Sequence, residues 1–430
     1  MKVLLIGHVC SPHSGSESGG TWNWAWQLSR NHNVWVVAHP HDRPNIERFF
    51  AQCPNPHLTF HWVSIPRWID PLDPRGSGRG LKFHYWIWLR LAYEKAIMLH
   101  KEIGFDIVHH LCWGSVSASS PFWKLPVPFI WGPLGGAQKA PASFRRYFGR
   151  AWNREVLRSV RLRAVRFSPF LRKTARASRV ALATNHETAD LLKVLGARDV
   201  RLWLDSGIPA DFIRNTKISK ANGDTFTLLW VGRMLPRKAL PLALEAFAEA
   251  RDIRARLVIA GDGEMRQTWE KCAKALHLEN KVEFLGAVPW SEMPSLYRSA
   301  DAFLFTSLRD SYGMQVLEAM GHGLPILTLD HQGVGTFVPP DAGIKVPVTN
   351  PHETVTGIVS AIRELALHPQ IRRSLGDAGR AFAETQTWER RAERMSKLYE
   401  EVLSAREPFD RAERLWALDR HLPAGTGSSN

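Results

Sequence analysis

Cysteine is scarce in this chain of 430 residues, and the four present (Cys10, Cys53, Cys112 and Cys272) fall in no Cys-x-x-Cys pair and at no Cys/His ligand spacing. Neither a disulfide framework nor a zinc site is expected, and a reducing compartment fits best. No stretch approaches an uninterrupted membrane span. The opening Met1–Gly7 run is apolar for too few residues to act as a signal peptide, so a cytosolic or peripheral protein is expected. Acids are also in short supply: 41 Asp and Glu stand against 56 Lys and Arg, a formal net charge of +15. Such a balance favours anionic partners. The zinc-finger, helix-turn-helix and RNP signatures are all missing, so nucleic acid is not expected among them.

Much of the positive charge is local. Between Lys139 and Arg179 stand thirteen Lys or Arg residues and one acid, Glu155. They are interleaved with Phe144, Tyr147, Phe148, Trp152, Leu157, Val160, Phe167 and Phe170. Cations among aromatics suit a segment lying on an anionic membrane surface, at roughly 1 kcal/mol per basic residue near the lipid. A solvated basic helix is the competing reading.

Apolar runs alternate with helical patterns along most of the chain, which places it in the α/β class. In the first half, 2–7, 34–38, 58–65, 106–111, 128–131, 180–184 and 200–204 read as strands. A second series reads as strands at 226–231, 257–260, 282–285, 302–306, 325–329 and 344–346. The polar stretch between the two series has no apolar periodicity and reads as a linker. The expected organisation is an N-terminal domain over 1–214, a linker over 215–225 and a C-terminal domain over 226–387. Beyond it come helices over 388–422 and a Gly/Ser-rich tail over 423–430. Trp22, Trp24 and Trp26 suit core packing better than a sugar platform, and the Pro/Gly-rich 66–80 loop suits a mobile acceptor-side loop or, equally, a simple long connection.

Two short segments carry the chemistry. Gly232-Arg233-Met234-Leu235-Pro236-Arg237-Lys238 and Asp310-Ser311-Tyr312-Gly313-Met314-Gln315-Val316-Leu317-Glu318 each follow a strand and open into a helix. Open α/β sheets bind ligands at such strand ends. Arg233 offers a planar fork and Lys238 a point charge for a diphosphate, with Arg237 a rival for the second position. Gly313 lets the backbone N–H groups of Met314 and Gln315 approach phosphate oxygens at a helix N-terminus. Asp310 and Glu318 are suited to hydroxyls. Sugar plus diphosphate indicates a nucleotide sugar.

These segments resemble the donor-site signature of retaining glycosyltransferases of family four, which have the GT-B fold: two Rossmann-like α/β domains facing each other across a cleft. Gly19-Gly20 after the first strand, Asp106-Ile107-Val108-His109-His110, the 204–208 turn and Ala260-Gly261-Asp262-Gly263 fit the same family. Trp131-Gly132-Pro133-Leu134-Gly135-Gly136 is similar to a loop of bacterial members that build polysaccharides. The resemblance implies a UDP- or GDP-sugar donor, transfer with retention to a lipid-linked or oligosaccharide acceptor at the cytoplasmic membrane face, and helices over 388–422 that cross back to the N-terminal domain. No cofactor is implied. Nor is a metal, since the Asp-x-Asp motif of many metal-dependent transferases does not occur. Arg233 and Lys238 would neutralise the leaving diphosphate, and Glu318 would take the ribose hydroxyls. Asp310 would reach the donor sugar, and Gly19 and Gly20 would present amides to the donor phosphate. His109 would hydrogen-bond the donor sugar, with His110 pointing away and Glu17 a further cleft candidate. A GT-B epimerase, a transferase with a soluble acceptor and an inactive binding subunit are the alternatives.

Overall fold

The computed structural model describes residues 1–12, 16–65, 81–111, 115–214 and 225–405, excepting the side chains of Ser16, Glu17, Leu81, Lys82 and Arg214. The 66–80 loop, nearly all of the linker, the Glu17 side chain and the 423–430 tail lie outside the described residues.

Two parallel sheets organise the chain. The first contains β1 (Lys2–Ile6), β2 (Asn33–Ala38), β3 (Leu58–Trp62), β4 (Ile107–His110), β5 (Phe129–Leu134), β6 (Val180–Ala183) and β7 (Val200–Leu202). Their order is β3-β2-β1-β4-β5-β6-β7. The second contains β8 (Phe226–Val231), β9 (Ala255–Ala260), β10 (Val282–Gly286), β11 (Ala302–Phe305), β12 (Ile326–Leu329) and β13 (Gly343–Val346), in the order β10-β9-β8-β11-β12-β13. Every residue of β4, β5, β6, β11 and β12 is buried. Helices therefore cover both faces, which is why these strands read as unbroken apolar runs. β3 ends at Trp62, short of the expected 65, because its one neighbour β2 ends at Ala38, the partner of Trp62. In each sheet the strand order reverses once, between β1 and β4 and between β8 and β11. Ligand crevices form at such switch points.

The basic segment departs from its expected placement. Phe144, Tyr147 and Phe148 are buried in one apolar cluster with Phe226, Leu240 and Leu244 of the C-terminal domain. Their spacing puts them on one face of the Ala142–Ala151 turns, and that face closes on protein, not on lipid. Tyr147 Oη donates to Glu245 Oε2 at 2.7 Å, Arg146 Nη2 donates to the same oxygen at 2.5 Å, and Ser143 Oγ donates to the Thr349 carbonyl at 3.2 Å. The segment thus ties the N-terminal half to the second domain. The following helices, Trp152–Val165 and Pro169–Ala177, and the turn between them leave Val156, Leu157, Val160, Phe167 and Phe170 exposed.

The Trp388–Ser404 helix returns to the first domain, where Trp388, Ala392, Met395, Leu398, Tyr399 and Val402 join a core with Val3, Leu5 and Trp24. Among the described residues the chain passes between domains twice, side by side: Ile208 N donates to Gln386 O and Trp388 N to Ile208 O, both at 3.1 Å. Buried Arg391 seals the crossing, bonding the Gln386 side chain at 3.0 Å and the Leu204 carbonyl. Trp22 stacks on Trp26 and packs edge-on against Phe49, so these tryptophans form core.

Candidate active site

A cleft of about 940 Å³ opens at the C-terminal ends of both sheets, with walls from each domain. β1 delivers His8 to it, β4 Leu111, β8 Gly232 and Arg233, and the loop after β11 Arg309 and Asp310.

On the C-terminal wall, Glu318 sits on the Met314–Gly321 helix, buried yet lining the cleft. Tyr297 Oη donates to Glu318 Oε2 at 2.7 Å and Trp290 Nε1 donates to Oε1 at 3.1 Å. Each oxygen is fixed and keeps a lone pair for a ligand hydroxyl. Burial pushes the Glu318 carboxyl above its ordinary 4.5, against the two hydrogen bonds that favour the anion. Gly313 caps this helix at φ +107°, where a Cβ would stand 2.8 Å from Phe305 Cζ, so glycine is required. Met314 and Gln315 follow in the first turn and line the cleft, and Gln315 Nε2 reaches the Val231 carbonyl at 3.4 Å. Gly261 allows a second close approach, since its Cβ would meet the Gly232 carbonyl oxygen at 2.0 Å.

Arg233 is exposed in the cleft, and no described residue pairs with it. Lys238 is buried, its Nζ 4.8 Å from the centre of the Phe305 ring and ion-paired with Asp310. Arg237 Nη1 donates to the same Asp310 Oδ2 at 2.9 Å, and Ser311 N donates to Oδ1 at 3.1 Å. Burial would raise the Asp310 carboxyl, but the Lys238 and Arg237 charges hold it well below the usual carboxylate range. Asp310 lines the cleft, and its oxygens anchor two cations and a backbone N–H, so it also positions Lys238. Arg237 is a second cation on the same carboxylate, not a substitute for Lys238.

The N-terminal wall differs most from the expected arrangement. Gly19 and Gly20 lie inside the Ser16–Leu28 helix and not in a loop ahead of it. Gly20 lines the cleft, whereas the Gly19 carbonyl accepts a bond from Asn23 Nδ2 at 2.8 Å. His109 is fully buried and off the cleft wall: its Nε2 donates to the Gly132 carbonyl and its Nδ1 accepts from Tyr399 Oη, both at 2.6 Å. Burial pulls its pKa to about 4, so the ring is a neutral linker between β4 and the returning helix. His110 is buried beside Tyr85 Oη at 3.1 Å. Among the described residues, the histidine that lines the cleft is His8, whose Nε2 lies 3.1 Å from His84 Nε2.

Sequence reasoning also missed Trp290 and Tyr297, which reach Glu318 from 28 and 21 residues upstream. It missed Arg158, Arg161 and Arg309 as well. Arg309 Nε pairs with Glu155 at 2.7 Å, and Arg158 Nη1 donates to the Gln138 carbonyl at 2.6 Å. The one signal available was Glu155 itself, the lone acid in a basic segment.

Residues 211–382 match the family Glycosyl transferases group 1. The chain is 26% identical over 250 residues to a D-inositol 3-phosphate glycosyltransferase of Saccharomonospora viridis, covering 54% of this chain and 57% of that one. It is 28% identical over 178 residues to an uncharacterized glycosyltransferase of Methanocaldococcus jannaschii, covering 41% and 45%. The chain thus spans about half the length of the curated relatives it matches. Among solved structures, sucrose-phosphate synthase from Thermosynechococcus elongatus superposes with a TM-score of 0.64 at 18% identity, over 94% of this chain and 100% of that one. Anabaena HepE in complex with UDP gives 0.60 at 14% identity, over 93% and 100%. The fold is GT-B, as the sequence implied.

Proposed function

We propose that this protein is a glycosyltransferase that moves a sugar, with retention, from a UDP- or GDP-sugar to a lipid-linked or oligosaccharide acceptor at the cytoplasmic membrane face. The observation that carries the reading is Glu318: a buried carboxylate with both oxygens pre-oriented, in one cleft with the Gly313 helix start and Arg233. Two adjacent ribose hydroxyls match a fixed carboxylate, and the helix N-terminus and Arg233 match the diphosphate beyond the ribose. The similarity to glycosyltransferases and the UDP complex of Anabaena HepE support the same donor class.

Bond cleavage loads negative charge onto the departing diphosphate. Arg233, without a counter-ion among the described residues, and Lys238, held by Asp310, supply fixed positive charge there without a metal. For retention, the acceptor hydroxyl attacks on the face the diphosphate leaves and gives its proton to a phosphate oxygen, so no protein base is assigned. Gly20 and His8 form the opposite wall. Exposed Phe167 and Phe170 stand among exposed arginines, and the same stretch sends Arg161 and Val165 into the cleft wall. This basic, apolar surface would set the cleft against anionic lipid, in reach of a lipid-linked acceptor.

The test is release of nucleoside diphosphate from UDP-glucose, UDP-galactose and GDP-mannose in the presence of EDTA, with and without membrane extract. Release from one donor, stimulated by extract and insensitive to EDTA, is expected. No release from any donor would overturn the activity; release that requires magnesium or manganese would overturn metal independence.

A further inference from the structure

Arg233, Arg237, Lys238, Arg309, Arg158 and Arg161 all line one cleft. The protein's own acids account for some of them. Asp310 pairs with Lys238 and Arg237, and Glu155 pairs with Arg309. Arg158, Arg161 and Arg233 remain without an ion pair among the described residues. Arg233 belongs to the C-terminal wall that the donor reading uses. Arg158 and Arg161 come from the opposite wall, one turn apart on the Trp152–Val165 helix, and that reading leaves them without a task.

Arg158 is locked in place, donating Nη1 to the Gln138 carbonyl at 2.6 Å and Nη2 to the Gly136 carbonyl. Those carbonyls hold the guanidinium without neutralising it. Burial, and after it the nearby Arg309 charge, pull its pKa to about 10, while the Glu155 carboxylate pushes the other way. Ser115 lies against Gly136, and the Ser115 and Ser117 hydroxyls, 2.7 Å apart, line the same part of the wall. Fixed guanidinium, free guanidinium and hydroxyls form a donor set for tetrahedral oxyanions.

We propose that Arg158 and Arg161, with Ser115 and Ser117, form an anion subsite on the N-terminal wall that takes a phosphate group carried by the acceptor. The proposal rests on the glycosyltransferase reading and narrows it: the acceptor is phosphorylated, and its phosphate sits across the cleft from the donor's diphosphate. A lipid diphosphate and a soluble sugar phosphate present the same chemistry.

The experiment is calorimetric titration of inorganic pyrophosphate into the full chain saturated with UDP, for the wild type, Arg161→Glu and Arg150→Glu. Arg150 is exposed on the same segment but away from the cleft. The wild type is expected to bind pyrophosphate beside UDP, Arg161→Glu to weaken that binding ~10- to 100-fold, the range for one charge-assisted hydrogen bond, and Arg150→Glu to stay within about twofold. Two further pairs locate the source. Glucose 6-phosphate is compared with glucose, and farnesyl diphosphate with farnesol in detergent. A preference for the phosphorylated member of either pair supports the subsite and says whether the phosphate is soluble or lipid-borne. No pyrophosphate binding by the wild type, binding unchanged in Arg161→Glu, or no preference in both pairs would overturn it. Failure of UDP to bind would instead strike the donor reading. Titrations repeated without UDP keep the Arg161 dependence readable in that case.

Discussion

Lys238 and Glu318 do opposite things with burial. Lys238 is sunk against Phe305 and held by Asp310, so replacing it removes the charge and unbalances the carboxylate that positioned it. Lys238→Ala should lower turnover on the order of 100-fold while leaving the fold intact, as for the loss of one contact to transition-state charge. Turnover near that of the wild type would mean that the diphosphate lies elsewhere. Glu318 binds as an anion whose pKa burial has raised. Protonation turns one acceptor oxygen into a donor, so UDP affinity should fall as the pH drops through a value above the ordinary 4.5, and Glu318→Gln should remove that step. A wild-type affinity that does not fall on acidification, or that falls equally in Glu318→Gln, would contradict the ribose assignment. Arg233, Lys238 and Glu318 were legible because each stands at a fixed offset from a strand end. Tyr297 and Trp290 were not, because residue 318 meets them only after the chain has folded. His109 was misread for the same reason: its ring partner Tyr399 lies 290 residues away.

Among the elements, the basic segment teaches most. Aromatics at helical spacing look alike whether they face lipid or another domain, because both environments remove apolar surface from water. The structure divides them: Phe144, Tyr147 and Phe148 enter the C-terminal core, whereas Phe167 and Phe170 stay exposed. The division makes a paired prediction. Phe144→Ala should destabilise the protein by ~3–5 kcal/mol, the usual cost of emptying a buried phenylalanine site. Phe167→Ser with Phe170→Ser should leave thermal unfolding almost unchanged but reduce co-sedimentation with acidic vesicles at low salt. If the double variant sediments like the wild type, the surface is solvated and the membrane placement fails. Strand elements were read closely because fully buried parallel strands are continuous apolar runs; the errors lie at the edge, where β3 stops with its partner.

At the scale of the whole molecule, two sheets were foreseeable from the alternation of elements, and the returning helix from the family resemblance alone. The seal at the double crossing, with Arg391 buried between Gln386 and Leu204, was not. Buried neutral histidines spread through the fold should set its acid limit. Burial holds His109 and His322 at about 4, and His8, with its histidine neighbours, at about 2, against an ordinary 6.5. The unfolded chain takes up these protons below pH 6.5 and the folded chain does not. Each such ring therefore withdraws stability as the pH falls, at up to ~1.4 kcal/mol per pH unit. Unfolding should shift to lower temperature from pH 7 to 5, and a constant melting temperature over that range would refute the neutral assignment.

The central claim is that one cleft binds a nucleoside diphosphate through Arg233 and Glu318. Calorimetric titration of UDP and of GDP into the wild type, Arg233→Ala and Glu318→Ala at pH 7.5 in EDTA tests it most directly. The account predicts saturable one-site binding of one nucleotide by the wild type, weakened at least ~10-fold in each variant, as expected for a lost charge-assisted hydrogen bond. No binding of either nucleotide to the wild type, or equal affinity in all three proteins, would contradict it.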